Sequence, residues 1–232
     1  LGLFSSATGF LSDGAFTVTN ATATVRDLDS ASARTTTLDG GTIDAPNGWS
    51  VDIGQTLSGN GTVRADVRNA GTVLPGGASI GVLSVEGDFT NRIARASGAV
   101  RLDVCGPAAQ DADRLNVDHA ASLGGRIEVA FCPAFVPHDN FQWEVLGAQS
   151  VNGIFATEVL PPGAWLEYTP TAVIFHAPCV GDFNRDGSVD GDDVIALFER
   201  WDAGHIAADV NGDDGVDGDD IIFFFEHWDA GC

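Results

Sequence analysis

The chain has 232 residues, 44% of them hydrophobic, with a formal net charge of −22 and neither lysine nor methionine. That apolar content is enough to core one large or two smaller domains, while the acidity excludes the basic footprint that nucleic-acid binding needs. No apolar run approaches the roughly 18–20 residues that cross a bilayer, so no membrane span is expected. Residues 181–232 carry 15 acidic residues and two arginines, a net −13, so more than half of the charge sits in the last quarter of the sequence. Without an initiator methionine the sequence is expected to be a processed product or a fragment, a removed secretory signal being the natural source.

Residues 1–37 contain Phe16–Arg26 (FTVTNATATVR), which alternates polar with small or apolar residues. This reads as an edge strand, or as an arm that adds to the sheet of a neighbouring copy. From residue 38 to 98 short alternating runs turn at Gly and Asn, and the tripeptide Gly-Thr-Ile/Val recurs at Gly41–Ile43, Gly61–Val63 and Gly71–Val73. Such repeats predict a short β-solenoid, in which coils bury a core only by stacking. Residues 99–178 read as longer antiparallel strands forming a sandwich-like cap. The first 178 residues are thus expected to form one β-rich body, followed at 179–232 by a separate module.

No catalytic signature stands out in that body. The five histidines (His119, His138, His176, His205, His227) fall in no metal-protease context, and no G-x-S-x-G elbow or P-loop is present. Asp111 and Asp113 flank Ala112, and such carboxylates serve turns more often than glycoside hydrolysis. Trp49, Trp143 and Trp165 are core candidates, with sugar stacking as the alternative. The expectation is a non-catalytic protein.

Residues 182–232 contain two copies of one loop-plus-helix unit, offset by 27 positions. The first loop reads DFNRDGSVDGDD (Asp182–Asp193) and the second DVNGDDGVDGDD (Asp209–Asp220), and the tails FERWDAG and FEHWDAG keep the offset. Oxygen donors at loop positions 1, 3, 5 and 12 suit a hard cation, since calcium takes six to eight oxygens from a 12-residue loop. The expected ligands are Asp182, Asn184, Asp186, Ser188 (carbonyl), Asp190 (through water) and Asp193 in loop one. In loop two they are Asp209, Asn211, Asp213, Gly215 (carbonyl), Asp217 and Asp220, for two calcium ions in all. Position 6 favours Gly for the sharp turn; Gly187 satisfies this, whereas loop two has Asp214, so it is expected to bind more weakly. Val194, Leu197, Phe198 and Trp201 fall at i, i+3, i+4 and i+7, as do Ile221, Phe224, Phe225 and Trp228, predicting a small core between two helices.

Four cysteines fit an oxidising compartment. Cys179 and Cys232 bracket the calcium module and are expected to pair, which leaves Cys105 with Cys132. Free thiols or zinc are the alternatives, though no CxxC spacing exists.

The duplicated unit resembles type I dockerins over roughly the last 52 residues, including Asp rather than Glu at position 12 (Asp193, Asp220). The resemblance implies a small all-α, paired EF-hand-like loop-helix module that binds a protein partner. Positions 10 and 11 help choose that partner in the family. Here both copies carry Gly-Asp (Gly191–Asp192, Gly218–Asp219) where cellulosomal members have a hydroxyl pair, which moves the expected partner away from cellulosomal cohesins. Phrases such as LSGNGTV, NAGTVLPG and SIGVLSVEGDFT resemble passenger-type β-helical repeats of autotransporters and other bacterial surface proteins, from about Leu38 to Phe175. That likeness implies an extracellular β architecture.

Together these readings give a mainly β protein, a short β-solenoid/sandwich-like body followed by a small dockerin-like module. The expected function is that of a secreted, extracellular or cell-surface structural protein. It would be calcium-stabilised and self-assemble into filaments by strand addition or module docking, with other copies of itself or another surface protein as partner. The rival reading is the anchored C-terminal part of a carbohydrate-active enzyme whose module binds a cohesin-like scaffold.

Overall fold

The computed structural model describes residues 14–25, 33–91, 98–135, 137, 141–161, 163–177, 179–186, 188–213 and 215–230. The protein is mainly β, a curled sheet followed by two C-terminal helices. The chain starts with β1 (Gly14–Thr19) and β2 (Thr22–Thr24), then β3 (Ala33–Asp44), β4 (Trp49–Val51), β5 (Thr56–Arg64) and β6 (Val67–Asn69). Three successive triplets come next: β7 (Thr72–Pro75), β8 (Val82–Val85) and β9 (Phe89–Asn91); β10 (Ala99–Val104), β11 (Arg114–Val117) and β12 (Ala120–Ser122); β13 (Arg126–Phe131), β14 (Gln142–Gly147) and β15 (Ser150–Asn152). Then come β16 (Thr157–Val159), β17 (Trp165–Tyr168) and β18 (Ala172–His176).

Equivalent strands of successive triplets lie side by side and run parallel. The first half of β5, β7, β10, β13 and β16 form one row. The second half of β5, β8, β11 and β14 form a second, and β4, β6, β9, β12 and β15 a third. The long β5 serves the first two rows because β3 lies along its whole length, and β1 and β2 lie along β3. The repeated tripeptide follows this geometry only in part. Gly41–Ile43 stacks in register on Gly61–Val63, but Thr72 and Val73 pair with Thr56 and Leu57 instead. At Gly61 a Cβ would run into the Gly41 carbonyl and the Leu38 side chain, so only glycine permits that approach.

The register explains the core. Leu57, Val73, Val100 and Ile127 occupy one continuous line of partners, and Leu83, Leu115 and Leu146 another. All seven are buried, and burying each aliphatic side chain contributes about 1.5–3 kcal/mol. Inside the third row, Asn69 and Asn91 are 0% and 2% exposed, yet fully engaged. Asn69 Nδ2 donates to Asn91 Oδ1 (2.8 Å) and to the Ala99 carbonyl, and Asn91 Nδ2 donates to the carbonyls of Gly98 and Gly124. This amide ladder adds side-chain donors to backbone carbonyls at the turns between coils.

Residues 99–159, expected as antiparallel strands, instead continue the parallel rows through β10–β16; the sandwich-like reading of this stretch does not describe its strand direction. Alternation with period 2 is common to parallel and antiparallel strands, so the periodicity carried no information on direction. Antiparallel pairing is confined, among the named strands, to β18 with β14 and with β17. There an aromatic group closes the body: Trp143, 1% exposed, stacks on Phe175 (5.8 Å) and packs edge-on against Phe131 and Phe135. The stretch Phe16–Val25 pairs with β3 of its own chain, as an edge strand does; Arg26 and the rest of the expected arm at 1–13 and 27–32 lie outside the described residues.

The helices are α1 (Gly191–Asp202) and α2 (Gly218–Ala230), joined through a single 3-10 turn at Ile206–Ala208. Leu197 and Phe224, which correspond under the 27-residue offset, are both completely buried and form a second core with Ala208. Val194, Trp201, Phe225 and Trp228 pack around it, with Val180, Phe183, Val210 and Val216. Phe198 remains 36% exposed and the half-buried Ile221 lies outside this cluster, so six of the expected eight residues form it.

Candidate metal centre

The two acidic loops have the same local geometry. In loop one the amide of Asp186 donates to Asp182 Oδ1 (3.0 Å) and Asn184 Oδ1 (2.8 Å), and that of Ser188 to Asp186 Oδ1 (2.9 Å). Twenty-seven residues on, Asp213 N donates to Asp209 Oδ1 (3.1 Å) and Asn211 Oδ1 (2.9 Å), and Gly215 N to Asp213 Oδ1 (2.8 Å). The side chains at positions 1, 3 and 5 are thereby held on the inside of each turn. Position 9 starts the helix: Asp190 accepts from the amide of Asp192, and Asp217 from that of Asp219, each at 2.9 Å. Asp and Asn are suited to this work because their short side chains bond to amides two residues on.

Position 12 is the buried end of each loop. Asp193 and Asp220 are 0% and 1% exposed. Asp193 accepts from the amides of Asn184 and Asp190, both at 2.9 Å. Asp220 accepts from Val210 (2.9 Å), Asn211 (3.3 Å) and Asp217 (2.9 Å). Neither has an arginine partner among the described residues, whose ion pairs all lie in the body. A buried carboxylate opposed only by amide dipoles is costly.

The indole groups tie the copies together reciprocally. Trp201 of α1 donates from Nε1 to the carbonyl of Asp217 in loop two (2.9 Å), and Trp228 of α2 donates to that of Asp190 in loop one (3.1 Å). Each helix thus reaches position 9 of the other loop. The sequence placed both tryptophans in the core through their spacing; their polar role was missed, because nothing in one copy specifies contact with the other.

The donor set suits a hard divalent cation: carboxylate and amide oxygens, no sulfur and no imidazole. Among the described residues no three His, Cys, Asp or Glu side chains lie close enough together to hold a metal ion. The loop carboxylates are instead distributed over the backbone amides they receive. Position 6 of both loops, Gly187 and Asp214, lies outside the described residues.

The other predicted residues are placed as follows. Cys105 and Cys132 form a disulfide, 27 residues apart; they follow Val104 and Phe131, which are register partners on β10 and β13. Cys179 is disulfide-bonded, and its Sγ accepts from the amide of Asp182 (3.1 Å); the expected partner, Cys232, lies outside the described residues, as does His138. Asp111 accepts from the amide of Ala108, and Asp113 from those of Gly81 (2.9 Å) and Asp103 (3.0 Å), so both hold turns. Asp113 is completely buried, and desolvation pushes its pKa up to about 6 against the lowering effect of its two amide donors. Trp49 and Trp143 are buried, whereas Trp165 is 38% exposed. No helix among the described residues is long and apolar enough to cross a membrane.

No protein-family model matches the chain, and comparison with curated proteins finds no match.

Proposed function

We propose that this chain is a non-catalytic secreted structural protein of a bacterial surface or extracellular matrix, a short β-solenoid carrying a dockerin-like module that binds two calcium ions. The observation that carries this reading is the repetition of the loop hydrogen bonds at an offset of 27 residues, together with the reciprocal Trp201–Asp217 and Trp228–Asp190 bonds. Calcium supplies the positive charge that the buried Asp193 and Asp220 require. The residues that hold it are Asp182, Asn184, Asp186, Ser188, Asp190 and Asp193, and their counterparts Asp209, Asn211, Asp213, Gly215, Asp217 and Asp220. The Cys105–Cys132 disulfide supports an oxidising, extracellular setting.

Self-assembly is the second part of the reading. Among the described residues β1 and β2 pair only with β3, while β15 pairs only with β12 and β16 only with β13. All three residues of β16 are exposed. Each end of the stacked rows therefore offers strands bonded on one side, the kind of edge to which a second chain adds. A head-to-tail contact of unlike ends that does not close produces a filament.

Calorimetric titration of the EDTA-stripped chain should show two calcium ions bound, and electron microscopy should show filaments with calcium that disperse in EGTA. Absence of calcium binding would overturn the module's assignment. Discrete monomers under both conditions would remove the filament while leaving the module intact.

A further inference from the structure

A cleft of about 420 Å³ lies where the end of the β body meets loop one. Its floor is a cross-strand row: Gln142 on β14 is the register partner of His176 on β18, which is also the partner of Trp165 on β17. Directly opposed residues share one face of a sheet. The Trp165 and His176 rings stack in parallel at 3.8 Å, and Glu167 fixes His176 through its Nε2 at 3.1 Å. The facing wall is polar, made by Asp182, Arg185 and Asp186.

Arg185 is set apart by its backbone. Its φ is +62°, the left-handed region, whereas the equivalent position in loop two is Gly212 at φ +75°. Glycine adopts this conformation without strain and arginine does not. Loop two makes the same turn with glycine at this position, so the turn itself does not require an arginine. Strained residues collect where a ligand is held, and Arg185 lines the cleft.

We propose that this cleft is a binding site for a pyranose unit of an oligosaccharide. Its volume falls in the range of about 300–1,000 Å³ typical of small-ligand sites. The indole offers an apolar, rigid surface to the C–H face of a sugar ring. Gln142 and Arg185 donate to hydroxyl oxygens, and the Gln142 side-chain oxygen accepts from a hydroxyl hydrogen. So many polar groups disfavour an apolar ligand. The proposal rests on this geometry and not on calcium in loop one.

The test is calorimetric titration of the full chain in calcium-saturated buffer with cellohexaose, mannohexaose and chitohexaose. Saturable binding of at least one of these oligomers is expected. Trp165→Ala and Arg185→Gly should each weaken that binding at least tenfold, and Arg185→Gly should keep the parent's melting temperature or raise it, separating lost contact from lost fold. The proposal is overturned if none of these oligosaccharides binds at millimolar concentration, or if either variant binds like the parent.

Discussion

The β body and the C-terminal module solve the same problem with opposite materials. The body buries lines of aliphatic side chains, Leu57–Val73–Val100–Ile127 among them, and confines its buried polar groups to self-satisfying sets such as Asn69 and Asn91. The module has three fully buried apolar residues, Leu197, Ala208 and Phe224, and beside them three buried carboxylates, Asp182, Asp193 and Asp220. A core that small rarely sustains a fold unaided, which is why small modules recruit disulfides or metals. The body should therefore be indifferent to chelation, and the module should depend on it.

The comparison can be broken most forcefully from the body's side. Phe89→Ala removes a fully buried ring from the third row and should destabilise the body by about 3–5 kcal/mol, read as a shift in urea unfolding followed in the β region of the circular dichroism spectrum. Calcium stoichiometry, if the two regions are independent, should not change.

Asp113 sharpens the body's polar side. Its folded-state pKa, about 6, lies above the ordinary 3.8. The sign follows from proton binding: between these values the native state holds more protons than the unfolded chain, so stability falls as pH rises. The contribution is fully present below about pH 3.8 and lost above about pH 6, amounting to about 3 kcal/mol at 1.36 kcal/mol per unit. Asp113→Asn should be less stable at low pH, because one amide donor loses its acceptor, yet show a flatter difference profile from pH 4 to 7. Parallel profiles for parent and variant would refute this.

Asn91→Ala removes an acceptor from the buried Asn69 amide and the side-chain donor of the Gly124 carbonyl, at a cost of about 1–3 kcal/mol; unchanged urea unfolding would show the ladder to be ornamental. The smallest effect is expected in the module, where Trp201→Phe or Trp228→Phe removes one indole hydrogen bond each, about 1 kcal/mol. Equal losses from the two variants, measured by thermal unfolding of the calcium-loaded protein, would express the symmetry of the bonds. Surface pairs such as Arg64–Glu86, half exposed on both sides, should matter less than any of these.

What was legible in the sequence was local or repeated at short range. The loop residues Asp182–Asp193 and Asp209–Asp220 were readable because side chain and amide lie two to ten residues apart. Both helices emerge where the apolar spacing put them, with Leu197 and Phe224 at the centre. The Cys105–Cys132 bridge was reached by elimination among four cysteines, and it forms because Val104 and Phe131 are partners one coil apart. The β character of the first 178 residues followed from alternation.

Other features came only with the tertiary structure. The parallel course of residues 99–159, the meeting of Asn69 with Asn91 across 22 residues, the crossed bonds from Trp201 and Trp228 and the row Gln142–His176–Trp165 all depend on which segments become neighbours. Arg185 had one signal, its misfit with Gly212 under the 27-residue offset, and it became meaningful only when its φ was known. The physical reason is common to all of them: periodicity and turn chemistry are properties of a few consecutive residues, whereas strand direction, crossed bonds and clefts are set by the packing of segments far apart along the chain.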